Sequence, residues 1–297
     1  MNRFFAIAGA SFLASMGQSF AQQDLSKVEI KTILVAPGIY MLEGAGGNVG
    51  LSTGADGGFL IDDQFAPLAE KIQAAIAKVS PEPVKFLLNT HWHFDHTGGN
   101  EAFGSGGAMI VAQDNVRKRL KEGMKDGVAK ADPAPDAALP IVTFKDEVTF
   151  YRNGRTIHVT HPEAAHTDGD AIVFIEDANV VHMGDTFFNG SYPFIDLDSG
   201  GGLDGYIAAQ EGVLAVIDDQ TRIIPGHGPL ASKADLADTT AMLKDVRARI
   251  KGLIDRGLDE KTVVKADPLK DLNGRWGKGF IAGDEMTKTV YRSLTKS

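Results

Sequence analysis

The segment "VKFLLNTHWHFDHTGGN", residues 84–100, constrains the fold more than any other part of this sequence. Its apolar beginning predicts a buried strand, and Thr97-Gly98-Gly99-Asn100 predicts that the chain turns afterwards. Between strand and turn lie four potential metal ligands, His91, His93, Asp95 and His96. Because alternate residues of extended chain point to the same side, His91 and His93 at the strand end are expected to face the same way. The segment therefore predicts a metal site at a strand end, where layered α/β folds often bind ligands.

Three further ligand candidates are each expected just after a strand. They are His166 in "AHTDGD", Asp185 in "HMGDTFF" and His227 in the tight turn "PGHG". Two sets of three ligands can be built, namely His91, His93 and His166 for one ion and Asp95, His96 and His227 for the other. Asp185 is suited to bridge them, since a carboxylate has two oxygens. Five imidazoles and two carboxylates without sulfur favour two Zn²⁺ ions, with Fe or Mn as alternatives.

Strand and helix patterns alternate along the chain. Period-2 or short apolar runs predict strands at 28–35, 39–42, 148–151, 156–160, 171–175, 180–183 and 221–224, and residues 49–61 predict two more. Helical spacing predicts helices at 67–79, 206–217, 234–256 and 284–294, and a weak one at 114–124 that a loop at 131–140 follows. Without a repeat or a linker, residues 22–297 are predicted to form one layered α/β or α+β domain with C-terminal helices.

The N-terminus and the composition bear on where the protein works. Residues 1–21 have Arg3, an uncharged apolar stretch and small residues at 19 and 21, which predict a signal peptide cleaved after Ala21. We expect a periplasmic or secreted protein with no membrane association after cleavage. A formal net charge of −9 disfavours nucleic-acid partners, which leaves a small-molecule substrate. The absence of cysteine excludes disulfides and thiolate ligands.

Taken together, the motifs resemble those of the metallo-β-lactamase superfamily. The resemblance rests on H-x-H-x-D-H at 91–96, "AHTDGD" at His166, "GD" at Asp185 and "PGHG" at His227, and it spans residues 28 to about 230. It implies an α/β (α+β) four-layer αβ/βα sandwich with the metals in a cleft at one edge of the sheets. It also places Asp62 where family members have a carboxylate that supports the ligands.

This resemblance implies a di-zinc hydrolase, and the predicted signal peptide implies that it is exported. Two metals make a nucleophile from water and polarise a carbonyl, and Asp95 is expected to orient that nucleophile and carry a proton. Candidate substrates are a β-lactam, lactone, ester or thioester. A bridging Asp185 is similar to glyoxalase II and the lactonases rather than to standard β-lactamases. Basic residues at 233–251 are expected to be a solvated surface rather than a glutathione site.

Substrate contacts and other classes of function remain open at this stage. The aromatic residues after Asp185 predict either an apolar wall, in which Phe188 and Tyr192 contact substrate, or packing of the loop onto the sheet. His158, His161 and His182 are not expected to be ligands. An iron-dependent oxidoreductase, such as a sulfur dioxygenase of the same fold, is an alternative that metal analysis would distinguish. An inactive binding protein is disfavoured because all seven ligands are present.

Overall fold

A computed structural model describes residues 24–123 and 132–296 of the chain. The predicted signal peptide, residues 1–21, lies outside the described residues, and so does the C-terminal end of the helix predicted at 114–124. Among the described residues, no helix is both long enough and apolar enough to cross a bilayer.

The first half of the chain forms a seven-stranded sheet. Its strands are hydrogen-bonded in sequence order: β1 (Lys31–Ala36), β2 (Ile39–Glu43), β3 (Val49–Ser52), β4 (Gly58–Ile61), β5 (Val84–Leu88), β6 (Met109–Gln113) and β7 (Val142–Phe144). The strands β1 to β4 are antiparallel neighbours, whereas β4 to β7 are parallel. All residues of β3 and β4 are buried, as expected for strands covered on both faces.

The second half forms a six-stranded sheet, in the order β13-β12-β11-β10-β9-β8. Its strands are β8 (Glu147–Arg152), β9 (Arg155–Thr160), β10 (Ile172–Ile175), β11 (Val180–His182), β12 (Arg222–Ile224) and β13 (Ala231–Ser232). Neighbours are antiparallel except for β11 and β12, which are parallel. The carboxyl ends of β11 and β12 therefore lie side by side, and the segments that follow them meet.

Helices cover the outer faces of both sheets. They are α1 (Ala69–Ala77), α2 (Phe94–Thr97), α3 (Asn100–Ser105), α4 (Asp114–Glu122), α5 (Leu203–Val216), α6 (Lys233–Asp255), α7 (Glu260–Lys265), α8 (Lys270–Trp276) and α9 (Gly283–Thr295). Between the sheets, Phe59 and Ile61 from the first pack in one core with Val159 and Val173 from the second. The order of layers is helix, sheet, sheet, helix, which confirms the predicted four-layer αβ/βα sandwich.

Two further apolar clusters hold the helices on the sheets. Ile72 and Ile76 of α1 pack with Leu60 and Leu87 on the outer face of the first sheet. On the second sheet, Val213 of α5 and Leu236 of α6 pack with Val181, Ile223 and their neighbours. A separate cluster joins α6 to α9, here called the C-terminal helices, to residues 192–207. Those helices are thus built onto the loop that precedes α5.

Several predicted elements differ from the observed ones. The first strand begins at Lys31 and not at Val28, because Leu25–Lys27 forms a 3-10 turn closed by Asp24. Strand β7 and helices α7 and α8 were not predicted, since each is short and lacks a sustained apolar period. Their places are set by neighbours in the fold rather than by local pattern. Strand β6 was also missed, although residues 108–112 are a short apolar run that is typical of a buried strand.

Candidate metal centre

The first four predicted ligands lie just beyond β5, at the edge of the first sheet. Because β5 ends at Leu88, His91 and His93 lie in a bend after the strand and not within its end, which corrects the prediction. Asp95 and His96 lie in the single turn of α2, in which the His96 amide donates to the His93 carbonyl at 3.0 Å. The bend and the turn, rather than strand alternation, bring these side chains together.

The other three predicted ligands come from the edge of the second sheet. His166 lies in the connection between β9 and β10, Asp185 in the 3-10 turn Gly184–Thr186 after β11, and His227 in the turn after β12. The two turns touch closely, since a Cβ at Gly226 would lie 2.1 Å from Asp185 Oδ1. Glycine at position 226 therefore allows His227 and Asp185 to share one site.

His91, His93, His166 and Asp185 form what we call the first group. The Nδ1 of His93 lies 3.1 Å from His91 Nε2 and 2.9 Å from His166 Nε2. Asp185 Oδ2 lies 3.8 Å from His91 Nε2 and 3.5 Å from His166 Nε2. All four side chains except His93 are buried. Three imidazole nitrogens and one carboxylate oxygen thus converge on one point.

Asp95, His96 and His227 form the second group, and Asp185 also reaches it. Asp95 Oδ2 lies 3.6 Å from His96 Nε2 and 3.3 Å from His227 Nε2. From the other side, Asp185 Oδ1 lies 3.0 Å from His96 Nε2, and its Oδ2 lies 3.4 Å from His227 Nε2. The carboxylate of Asp185 therefore lies between the two groups, with an oxygen available to each.

The residues present fit two metal ions. A tetrahedral zinc ion with ligands about 2.0–2.1 Å away would hold neighbouring ligand atoms roughly 3.3 Å apart, close to the spacings in both groups. His96 Nε2 and Asp185 Oδ1 are buried, and neither atom has a hydrogen-bond partner of good geometry. Such buried polar atoms are costly unless something binds them, and cations at both groups would do so.

Each imidazole of the first group, and His96 of the second, has a partner on its outward nitrogen. His93 Nε2 donates to Asp196 Oδ2 at 3.0 Å, and His166 Nδ1 donates to the Phe194 carbonyl at 2.9 Å. His91 Nδ1 contacts Thr90 Oγ1 at 3.1 Å, and that hydroxyl donates to Asp62. These bonds fix the tautomer that leaves the other nitrogen free for a metal.

Asp62 lies where the family resemblance placed it. Its Oδ2 accepts from His96 Nδ1 at 2.7 Å, and its Oδ1 accepts from the Thr90 amide at 2.7 Å. The residue is fully buried and has a positive φ of 63°. Asp62 therefore orients His96 and, through Thr90, also contacts His91.

The two groups differ in the pKa values of their histidines in the absence of metal. Burial lowers the pKa of His91 well below its usual value and that of His166 to about 4. Burial opposes protonation of His96 and His227 too, but the Asp185 and Asp95 carboxylates outweigh it and raise the pKa of His227 to about 9. His91 and His166 are thus ready as neutral imidazoles, the form that binds metals.

The aromatic residues predicted to contact substrate have different surroundings. The ring of Phe188 stacks on His227, with centroids 4.7 Å apart, so it borders the second group. Tyr192, in contrast, is fully buried, and its hydroxyl donates to Asn273 Oδ1 at 3.1 Å. Of the two alternatives left open for this loop, the position of Tyr192 favours packing over contact with substrate, because the C-terminal helices enclose the ring and its hydroxyl is bonded inside the protein.

Two residues that support the site were missed by the sequence analysis. Asp196 holds His93, as described above, and Asn48 joins the two halves of the site. The Asn48 amide donates to the Gly226 carbonyl at 2.7 Å, and its side chain donates to the Pro225 and Gly228 carbonyls. Asn48 therefore braces the turn that carries His227. Its only local signal is its position in a glycine-rich segment.

The histidines not expected to be ligands have other partners. His182 is buried, its Nε2 donates to the Asn48 carbonyl, and its Nδ1 accepts from the Gly184 amide. His161 Nδ1 contacts the Asp170 carbonyl at 2.7 Å, and His158 Nδ1 contacts Thr149 Oγ1 at 3.0 Å. None of the three belongs to either metal-ligand group found among the described residues.

The basic residues at 233–251 also have partners of their own. Arg247 forms two hydrogen bonds with Asp204, and Arg249 pairs with Asp271 and Asp245. The remaining lysines contact acidic side chains or a carbonyl: Lys244 with Glu211, Lys251 with Asp255, and Lys233 with the Ile217 carbonyl. These contacts agree with the expected solvated surface.

Comparison with known proteins supports the same family. A sequence model of the metallo-beta-lactamase superfamily matches residues 44–227. A hydroxyacylglutathione hydrolase of Polaromonas sp. is 27% identical over 194 residues, which cover 61% of this chain and 65% of that protein. The probable metallo-hydrolase YqgX of Bacillus subtilis is 30% identical over 190 residues, which cover 58% of this chain and 83% of that protein. The chain thus spans just under two thirds of the first relative's length.

Solved structures share the fold at low sequence identity. A metallo-beta-lactamase from Pontibacter korlensis is 20% identical with a TM-score of 0.60, and the match covers 74% of this chain and 100% of that one. The sec-alkylsulfatase Pisa1 from a Pseudomonas species is 17% identical with a TM-score of 0.67, and the match covers 90% of this chain and 50% of that one. At these identities the likeness concerns the fold alone.

Proposed function

Because the chain belongs to the metallo-beta-lactamase superfamily, we propose that it is a binuclear zinc hydrolase that cleaves a carbonyl-containing bond. One observation carries the proposal: the buried carboxylate of Asp185 lies between two groups of ligands and has one oxygen within 3.0 Å of His96 Nε2 and the other 3.5 Å from His166 Nε2. A carboxylate shared by two ligand groups can hold a pair of ions close together, as the two-metal hydrolytic mechanism requires.

The partly exposed members of the two ligand groups indicate the side from which substrate reaches the metals. Two bound divalent ions would supply a water-derived nucleophile at neutral pH and polarise the substrate carbonyl. His93, Asp95 and His227 are the partly exposed members of the two groups, so substrate approaches along their side of the site. Phe188 offers an apolar ring beside His227 for the non-reacting part of the substrate.

Asp95 is suited to proton transfer. Burial alone would raise the pKa of Asp95, but the neighbouring His96 and His227 outweigh burial and lower it to about 2. In the metal-free protein the carboxylate is therefore ionised at neutral pH. Its partly exposed position in the second group supports a role in orienting the attacking water and carrying its proton to the leaving atom. Its backbone carbonyl, which accepts from the Gly47 amide at 3.1 Å, keeps the residue in place.

The preferred substrates are a thioester, ester or lactone, ahead of a β-lactam. The position of Asp185 supports this order, and so does the relative named hydroxyacylglutathione hydrolase, which acts on a thioester by its name. Glutathione itself is disfavoured as the leaving group, because the basic residues at 233–251 already have partners on the surface.

The proposal is tested by metal content and a substrate panel. Protein produced with zinc, iron and manganese in the medium should hold two zinc ions per chain by mass spectrometry of metals. It should hydrolyse a thioester, a p-nitrophenyl ester or a lactone faster than a chromogenic cephalosporin. If the metal-replete protein hydrolysed none of these, the hydrolase proposal would be wrong. Two bound iron ions in place of zinc would favour the alternative of an iron-dependent oxidoreductase.

Export is a separate part of the proposal. The sequence of residues 1–21 supports it, and the working compartment would be the periplasm or the medium. N-terminal sequencing of the protein secreted by a bacterial host should begin at Gln22. Retention of Met1 on cytoplasmic protein would contradict it.

A further inference from the structure

One short stretch of chain, Phe194 to Asp196, holds two of the three imidazoles of the first group. Asp196 Oδ2 accepts from His93 Nε2 at 3.0 Å, and the Phe194 carbonyl accepts from His166 Nδ1 at 2.9 Å. The Asp196 amide also donates to the His166 carbonyl at 2.9 Å. Three hydrogen bonds from this stretch thus set the orientation of two ligands.

Asp196 itself is buried and held in place by backbone hydrogen bonds. It is only 5% exposed, its Oδ1 accepts from the Ser199 amide at 3.0 Å, and its carbonyl accepts from the Gly201 amide. The carboxylate therefore has one oxygen fixed by the backbone and the other directed at His93.

The C-terminal helices hold this stretch in place. The Tyr192 amide donates to the Trp276 carbonyl at 2.8 Å, and the Tyr192 hydroxyl donates to Asn273, so the last residue and the middle of α8 are both involved. Ile195 is buried in one cluster with Met286 and other residues of α6 to α9, and Phe194 and Leu197 pack against that cluster. Lys296 Nζ donates to the Leu197 carbonyl at 2.6 Å.

These helices lie beyond the part of the chain that defines the family. The superfamily match ends at residue 227, whereas α6 begins at Lys233 and α9 ends at Thr295. The connection between these helices and the metal ligands, which runs through the stretch Phe194–Asp196, therefore includes residues that the family match does not cover.

We propose that Asp196 is a positioning residue for the first group and that the C-terminal helices act on metal binding through it. The inference rests on the proposed function, in that the first group must bind a metal. Asp196 keeps the proton of His93 on Nε2, so that Nδ1 faces the metal, and it raises the basicity of that nitrogen. Outer carboxylates of this kind are worth about 10- to 100-fold in metal affinity.

The direct test compares Asp196→Asn with Asp62→Asn, because each carboxylate holds one histidine of a different group. The two metal dissociation constants are measured by competition with a chromophoric chelator, and ¹¹³Cd NMR distinguishes the three-histidine group from the Asp-His-His group by separate resonances. Asp196→Asn should weaken metal binding at the first group by about 10- to 100-fold and leave the second within about 3-fold. Asp62→Asn should chiefly weaken the second.

The remote arm of the test uses Tyr192→Phe and Asn273→Ala, with Lys251→Ala as the matched control. Removing one partner of the Tyr192–Asn273 hydrogen bond should weaken metal binding at the first group by about 2- to 10-fold in the same assay. Lys251 is exposed on α6 and pairs with Asp255, so its loss should leave both metal constants unchanged. Tyr192→Phe retains the buried ring and hence the packing.

The outcomes separate this inference from the proposed function. If the unaltered protein binds no second metal ion, the proposed function fails. If it binds two and Asp196→Asn weakens both equally, Asp196 acts only on general stability, and the inference is wrong. If Asp196→Asn weakens the first group alone but Tyr192→Phe and Asn273→Ala change nothing, the role assigned to the C-terminal helices is overturned.

Discussion

His93 and His96 are three residues apart in the sequence, yet distant parts of the chain hold them. His96 is fully buried, and its partner Asp62 follows directly on β4, the neighbour of β5 in the first sheet. His93 is partly exposed, and its partner Asp196 lies 103 residues away, in a loop that the C-terminal helices support. His96 is thus fixed by the sheet that delivers it. His93 is fixed by a loop within the family match, and that loop is supported by helices outside the match.

This difference indicates how the two groups should respond to change. Support for His96 belongs to the central sandwich, so altering it disturbs the sheet edge. Support for His93 is peripheral, so altering it should change metal binding with less damage to the fold. Asp185 joins the two groups into one site, because its carboxylate contacts a histidine of each.

The largest effect on activity is expected at Asp185, because this residue contacts both ligand groups. Asp185→Asn replaces a charged bridging oxygen by an amide nitrogen, which should disturb both groups and lower kcat/KM by about 10³-fold or more. Metal content and hydrolysis of the best substrate of the panel are measured together. Asp238→Asn, an exposed carboxylate on α6, is the control, and an Asp185→Asn enzyme with two metals and full activity would refute the bridging role.

A smaller effect, confined to the second group, is expected at Gly47. A Cβ at this position would lie 2.1 Å from Cε1 of His96, so Gly47→Ala must displace that ring from Asp62. Overpacking of this kind costs about 1–3 kcal/mol. We expect weaker metal binding at the second group with the first group nearly unchanged, as measured by ¹¹³Cd NMR. Gly212→Ala, where nothing lies within 4 Å of the new Cβ, should leave both groups intact.

His182 links pH to the stability of the sheet behind the site. Burial lowers the pKa of His182 below its usual value of about 6.5. Below pH 6.5 the unfolded chain therefore takes up a proton that the folded chain rejects, so the free energy of unfolding falls as the pH falls. The contribution is at most about 1.4 kcal/mol per pH unit. Denaturant unfolding of metal-free protein at pH 5–7 should show a steeper slope than for His182→Gln, and equal slopes would contradict this role.

The smallest effect is expected on the surface of the C-terminal helices. Arg247→Ala removes an ion pair with Asp204 whose two side chains are 39% and 64% exposed. Such exposed pairs contribute about 0–1 kcal/mol, and the pair does not touch the stretch Phe194–Asp196. Thermal unfolding should shift slightly, and both metal constants should stay unchanged. A substantial loss of thioester hydrolysis would instead reveal a substrate-binding role for this basic residue.

Much of the site was predictable because metal ligands need particular side chains at particular spacings. The seven predicted ligands fall into the two predicted sets, with Asp185 between them, and Asp62 lies beside His96. Their role as ligands awaits the metal analysis. The superfamily and the four-layer fold are confirmed by the family match and the two covered sheets.

Other features could not be predicted, because they depend on partners far along the chain. Tyr192 was expected at the rim of the site, whereas the C-terminal helices bury it. Asp196 and Asn48 have no periodic or motif signal of their own, and their roles exist only once His93 and the turn at Gly226 lie beside them. Short elements such as β7 and α7 were missed for the same reason.

The candidate ligands and the fold family could be predicted from the sequence, because donor chemistry, turn residues and apolar periodicity are local properties of the chain. The tertiary structure alone decided which carboxylate supports which histidine, and which aromatic side chain faces the site. Those choices depend on hydrogen bonds of about 3 Å between residues up to 180 positions apart. Only the packed sheets and the C-terminal helices bring such residues within that distance.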